Sequence, residues 1–225
     1  MKRNQNILSV VLLSLLTALG IAFSFFSFPI ATGLNITLTG VFVAITATLF
    51  GPSIGAYVGF IWGTFSLIQG ITGMDPSGPV LFATNPFGLV FTCYFPRILD
   101  GFLVGLISKF IKKWEKGNKV VTGIVSSILV VVLNTFVFLS CYIGFFYPSL
   151  KDAILNATGA QTVTLGAILT FLLISAGLNF ILELAINLVI DTPAIIALDK
   201  IVEKNNLKIS FTFKSKCKNL TKESK

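Results

Sequence analysis

Four polar residues, Asn179, Glu183, Asn187 and Asp191, recur at four-residue spacing in the otherwise apolar run NFILELAINLVID. Side chains four apart share one helical face, so they form a polar stripe about 18 Å long. A carboxylate at the centre of a bilayer costs a few kcal/mol unless it is paired, solvated or protonated. Glu183 must therefore face a protein interior or a wet cavity. Asn134, followed by Thr135, falls at a similar depth in another apolar run. Asn134, Asn179 and Glu183 are the candidates for gripping a small polar solute. Asn187 and Asp191, nearer the cytoplasm, suit hydrogen bonds that lock helices together.

A second cluster, YFPRILDG, supplies a positive charge. Proline suits the first position of a helix, which predicts a helix starting at Pro96 with Arg97 at its positive end. That combination can receive a carboxylate or phosphate. Asp100, three residues on, can instead pair with Arg97, or Arg97 can reach up to the outer headgroups. Gln69 and Asn35, near the ends of apolar runs, add amides to the candidate set. Trp62, Phe65, Tyr94 and Tyr142 are candidates for cavity walls or interfacial anchors.

The elements that hold these groups are membrane spans. Charged residues make up only 12% of the 225 residues, and 54% are hydrophobic; a soluble domain carries about 25% charged residues. No charge occurs between Arg3 and Asp75, between Lys119 and Lys151, or between Asp152 and Glu183. A crossing needs roughly 20 apolar residues. The expected fold is thus an all-α integral membrane protein, a bundle of six transmembrane helices. They are placed at about 7–28, up to Phe50, 53–69, 95–110, 120–146 and 170–198. The N-terminal run is too long for a signal-peptide core and reads as a retained first span.

Fifteen of the seventeen Lys and Arg residues lie in the N-terminal pair, in KFIKKWEKGNK, or from Lys200 onward. With six spans these segments share one side, which the positive-inside rule makes cytoplasmic, so both termini are expected there. Residues 1–200 form the membrane domain, and 201–225 a basic tail suited to anionic lipid. The expected location is the plasma membrane, and the basic balance requires no nucleic acid. Glycines Gly51, Gly55, Gly59 and Gly63, four apart, predict close helix packing. The loops Pro29–Gly40 and Gly70–Asn85 are long and nearly uncharged, as lids over an outward-facing pocket would be.

Several chemistries are excluded. There is no histidine, and Cys93, Cys141 and Cys217 are too scattered for a disulfide framework or zinc site. No G-x-x-x-x-G-K-[ST] loop is present, so the chain has no ATPase of its own. No cofactor or metal is expected, and no enzymatic activity.

The order of these pieces resembles the substrate-binding S component of energy-coupling factor vitamin transporters. Ala18-x-x-x-Ala22, FPRILDGFLVGL, LNTFVF and NFILELAINLVIDTPAIIAL carry the likeness, which covers nearly the whole chain. The resemblance implies capture of a vitamin or precursor from outside. It also implies docking, through Ala18 and Ala22, on a membrane coupling subunit joined to two ATPases that use the ATP, followed by rotation of the whole subunit. Asp100 departs from the small or apolar residue that the family pattern favours. The inventory Asn35, Gln69, Arg97, Asn134, Asn179 and Glu183 suits a ligand with one anionic group plus hydroxyls or amides. Pantothenate fits best, and folate-like or pyridoxine-like molecules less well. A self-sufficient secondary transporter or channel would be expected to show an internal repeat, and none is evident. A membrane hydrolase using Glu183 and Asp191 would lack a histidine.

Overall fold

The computed structural model describes residues 2–25, 27–29, 35–37, 39–75, 77–114, 118–158 and 164–205. Lys116, the tail from 206 onward, most of the first expected lid and the side chain of Asn35 lie outside the described residues.

Helix α1 spans Lys2–Ser24, ending before the expected Phe28. A two-stranded antiparallel ladder follows, β1 (Ser27–Pro29) against β2 (Asn35–Thr37), with Phe28 opposite Ile36. Pro29 accounts for the change, since a residue preceding proline is driven toward extended geometry. Helix α2 is Thr39–Phe50 and α3 is Pro52–Thr72. Gly51 joins them at φ 93°, a left-handed turn that glycine adopts without strain, and Pro52 starts the next helix. Gly73, at φ 77°, ends α3.

The second expected lid contains a short helix, α4 (Gly78–Thr84). Helix α5 then runs Pro86–Trp114, so the expectation of a start at Pro96 is wrong by ten residues. The true start carries both signals: Asn85 Oδ1 accepts the Gly88 N–H at 2.9 Å, and Pro86 occupies the first position. Helix α6 (Lys119–Thr158) bends at Phe146 (φ −122°, ψ 21°), two residues before Pro148, where the fifth span was expected to end. Helix α7 (Leu165–Lys204) exceeds the expected sixth span at both ends, and its N-cap Thr164 accepts the Ala167 N–H.

Among the described residues five helical stretches are long and apolar enough to cross a membrane: Ile7–Ser24, Pro52–Thr72, Pro86–Trp114, Lys119–Asn156 and Asn179–Lys204. This is a multi-pass membrane protein. The remaining expected crossing, α2, has 12 residues and is about 18 Å long, short of the roughly 30 Å hydrocarbon core.

Helix α2 is the hub. It touches α1, α3, α5, α6 and α7, and Val41 and Val43–Thr48 are buried. A helix that is apolar on all sides belongs at the centre of a bundle. Val41 and Ile45 pack with Leu16 and Ile195, while Ala44 and Ala47 pack with Val104, Val130 and Val131.

The glycine ladder packs α3 on α5. A Cβ on Gly55 would collide with the Gly101 carbonyl, one on Gly59 with the Arg97 carbonyl, and one on Gly63 would lie 2.9 Å from the Cys93 carbonyl. At one end of the bundle a polar seal joins four helices. Thr48 Oγ1 donates to Ser126 Oγ at 2.9 Å, and the Ser108 and Ser126 hydroxyls are 2.8 Å apart. Lys112 Nζ donates to the Thr48 carbonyl (3.1 Å) and to Asp199 Oδ1 (2.7 Å), while Lys119 bridges Asp199 and Glu203.

Candidate solute-binding site

Pro96 sits inside α5 and has no N–H, so the Thr92 carbonyl four residues earlier lacks its helical donor. Arg97 fills the gap: its Nη1 donates to the Thr92 carbonyl at 3.3 Å and the Cys93 carbonyl at 2.9 Å. The guanidinium carbon lies 5.0 Å from the Trp62 ring centroid on α3 and 6.0 Å from that of Phe138 on α6. These are cation–π distances. Arg97 therefore stands about 16 Å inside the helix start, at mid-depth between aromatic faces. It is neither at a helix terminus nor reaching toward headgroups, which corrects both sequence expectations.

Asp100, one turn further, is 1% exposed, and neither carboxylate oxygen has a hydrogen-bond partner among the described residues. The expected ion pair with Arg97 does not form among the described residues, whose salt bridges lie at the polar seal. Asp100 nonetheless feels the charges of Arg97 and of Glu183 on α7.

The α7 stripe forms as its spacing demands. Asn179 Nδ2 donates to Glu183 Oε1 at 3.3 Å, and Asn187 Nδ2 to the Glu183 carbonyl at 2.7 Å. The amide oxygens of Asn179, Asn187 and Asn134 remain buried without partners among the described residues, as does Arg97 Nε. The first turn of α2 abuts the stripe: a Cβ on Gly40 would lie 3.7 Å from Asn187 Oδ1, and the neighbouring Thr39 hydroxyl is also unpartnered. Lower on α7, Asp191 is fully buried beside Ser127, and the Thr192 backbone meets Gly123 at 3.2 Å from a built Cβ. Interhelical packing describes that level.

Gln69 is engaged elsewhere. Its Nε2 donates to the Ser24 carbonyl at the end of α1, tying α1 to α3. Asn35 contributes its backbone to the ladder. The structure thus joins Asn179 to Glu183 on α7, sets Asn134 one helical turn before Phe138, whose ring lies 6.0 Å from the Arg97 guanidinium carbon, and assigns Gln69 a different contact.

Phe138 went unnoticed in the sequence, although it follows Asn134 by one helical turn. Asp75, in the α3–α4 connection, accepts hydrogen bonds from the Ser77 N–H (3.1 Å) and hydroxyl (2.8 Å), and its charge acts on Arg97 and Tyr142. Tyr142 stacks on Phe138 with ring centroids 5.8 Å apart, extending the aromatic wall along α6. A recess of about 20 Å³ opens against Thr39 and Trp62 between α1, α2 and α3, space for roughly one water.

Buried polar atoms are almost always satisfied in folded proteins, so a concentration of unsatisfied ones needs an explanation. Here they are complementary in type. The guanidinium seeks an acceptor, the amide oxygens seek donors, and Trp62 and Phe138 offer apolar faces. A small molecule with an anionic end, hydroxyl or amide hydrogens and methyl groups meets all three demands.

Comparison with known proteins agrees in class. The family described as "ECF transporter, substrate-specific component" matches residues 8–195, from α1 into the last turns of α7. A protein of Leuconostoc mesenteroides subsp. mesenteroides named pantothenate transporter PanT is 30% identical over 118 residues, 52% of this chain. The chain spans about half the length of that relative, 55%. The family match covers most of the bundle, and with it the helices that carry Arg97, Asn134 and the α7 stripe. The chain belongs to the substrate-specific components of energy-coupling factor transporters, and is a transporter subunit rather than an enzyme.

Proposed function

We propose that this subunit captures pantothenate from the outer side of the membrane. Arg97 receives the carboxylate, Asn134 and Asn179 accept hydrogen bonds from hydroxyl and amide hydrogens, Glu183 accepts a further one, and Trp62 and Phe138 pack the dimethyl carbon. The observation that supports this reading is a half-buried arginine held between the Trp62 and Phe138 rings, together with unsatisfied amide oxygens on α6 and α7. The relative named as a pantothenate transporter supports it. A ligand of this size needs a few hundred Å³, so loading moves α1 outward from the small recess beside Trp62.

In the same reading α2 is the sixth, shortened crossing, protected from lipid by its five neighbours, and both termini lie in the cytoplasm with the basic segments. Ala18 and Ala22, exposed on α1, form the face that docks on a coupling subunit driven by two ATPases.

The test is native mass spectrometry of the purified protein, followed by titration with pantothenate, pyridoxine and folate in detergent. Co-purified pantothenate and tight binding of it alone are the expected results. Selective binding of another vitamin would overturn the assignment.

A further inference from the structure

We propose that Thr39, in the first turn of α2, receives the terminal hydroxyl of the solute in the recess between α1, α2 and α3. The inference deepens the pantothenate reading and rests on it.

The recess is mostly apolar, and its hydroxyl groups can be accounted for one by one. Thr17, Ser24 and Thr39 are the hydroxyl-bearing residues that line it. Two of them are committed to their own helix. Thr17 Oγ1 donates to the Leu13 carbonyl at 2.8 Å, and Ser24 Oγ donates to the Ile21 carbonyl at 2.7 Å. Thr39 is different: it is 4% exposed, and its Oγ1 has no partner among the described residues. A hydroxyl buried without a partner is unfavourable, so this one calls for a polar group that enters the recess. The α7 stripe does not supply it. Asn187 Oδ1 lies on the Gly40 side of the same turn, 3.7 Å from a Cβ built there, and is itself unpartnered among the described residues.

Size and surroundings choose the ligand group. The recess, about 20 Å³, has room for roughly one water. That suits a hydroxyl better than a carboxylate and leaves the anionic end to Arg97. The positive start of a helix favours an oxygen lone pair, and the residue before α2 is Leu38, whose side chain carries no oxygen that could take that place. Trp62 connects the recess to the arginine, since it lines the recess and its ring centroid lies 5.0 Å from the Arg97 guanidinium carbon. In pantothenate the carbon bearing the terminal hydroxyl is bonded directly to the dimethyl carbon. A dimethyl carbon resting on Trp62 therefore puts the hydroxyl at the mouth of the recess. Thr39 and Trp62 belong to α2 and α3, so both stay in place when α1 moves outward.

The experiment is equilibrium binding to the full-length protein in detergent, with pantothenate and with the analogue that lacks the terminal hydroxyl. The native protein should bind the analogue about 2- to 12-fold more weakly, the worth of one neutral hydrogen bond. Thr39→Val should weaken pantothenate binding by a similar factor and abolish the discrimination between the two ligands. Thr39→Ser, which keeps the hydroxyl, should retain it. Thr39→Ala repeats the test without a β-branched side chain, and unfolding midpoints identify any variant that does not fold. A general loss of packing would weaken both ligands alike and preserve their ratio; full discrimination in Thr39→Val and Thr39→Ala would refute the assignment. A native protein indifferent to the missing hydroxyl would refute it too, leaving the recess to a water molecule and the pantothenate reading intact. No binding of pantothenate by the native protein would refute the ligand reading itself, and the proposal with it.

Discussion

Replacing Gly59 and Gly144 by alanine makes the same chemical change on two transmembrane helices with opposite expected outcomes. On α3 the new methyl of Gly59→Ala would overlap the Arg97 carbonyl and crowd the Ile98 Cα at 3.2 Å. Both obstacles are backbone, so no side-chain rotation relieves them. The helices must separate, and overpacking of this kind costs about 1–3 kcal/mol. For a chain of this size each kcal/mol lowers Tm by roughly 2–4 °C, so the apparent midpoint should fall by about 2–12 °C. The displaced carbonyl belongs to the arginine of the site, so pantothenate affinity should fall in parallel. Around Gly144 on α6 a methyl meets nothing within 4 Å, and removing a helical glycine gains up to about 1 kcal/mol. Gly144→Ala should therefore hold or raise the midpoint. Thermal unfolding in detergent, read by tryptophan fluorescence, compares the two directly. Equal midpoints for both variants would refute the claim that the α3–α5 contact is at its limiting separation.

Arg97→Lys keeps the charge but loses the planar guanidinium, whose Nη1 holds the Thr92 and Cys93 carbonyls while its other N–H groups are left for the solute; by the worth of a charged hydrogen bond, about 1.5–3 kcal/mol, pantothenate Kd should rise roughly 10- to 150-fold, and an unchanged Kd in equilibrium binding would remove Arg97 from the site. Asn134→Ala should weaken binding about fivefold, at the scale of one neutral hydrogen bond, with no loss of melting temperature. Ala18→Trp combined with Ala22→Trp should leave binding intact in detergent and abolish uptake in proteoliposomes containing the coupling subunit and ATPases; normal uptake would eliminate this docking face. Lys112→Met strips the closest cation from Asp199, whose side chain is 5% exposed. Since the lysine is itself partly solvated at 28% and Lys119 remains at 3.7 Å, the loss should be about 1–3 kcal/mol, below the 3–5 kcal/mol typical of a fully buried pair; adding Asp199→Asn should restore part of it, and a scan of unfolding midpoints across the set checks this.

The spans were legible because long charge-free runs admit few alternatives in a membrane. The glycine ladder was legible in part: Gly55, Gly59 and Gly63 serve close approach to α5, whereas Gly51, expected to do the same, serves the positive-φ turn before α3. The start of α5 was not legible from Pro96 alone. A soluble helix seldom tolerates an interior proline, but a membrane helix does so when a neighbouring group satisfies the freed carbonyl; that group is Arg97, for which the sequence suggests an anion, Asp100 or the headgroups as partner but not its own helix backbone. Gln69 was misplaced because an amide at a helix end gives no sign of which backbone carbonyl it will meet. Asn179, Glu183 and Asn187 kept their local geometry because four-residue spacing fixes it. The partners that the Asn179 and Asn187 amide oxygens lack among the described residues could not be counted until the facing helices were in place.

The Pro96–Arg97 pairing has a thermodynamic consequence. An arginine side chain ordinarily surrenders up to about 2 kcal/mol of rotamer freedom when a ligand immobilises it. Here the backbone defect left by the proline, together with the rings of Trp62 and Phe138, has already immobilised the guanidinium before any solute arrives. The imino acid thus acts as a distant tuner of affinity. Pro96→Ala, by restoring the missing amide, would compete for the Thr92 carbonyl and loosen the arginine, still held by the Cys93 carbonyl and the two rings, leaving every solute contact chemically unchanged yet entropically weaker.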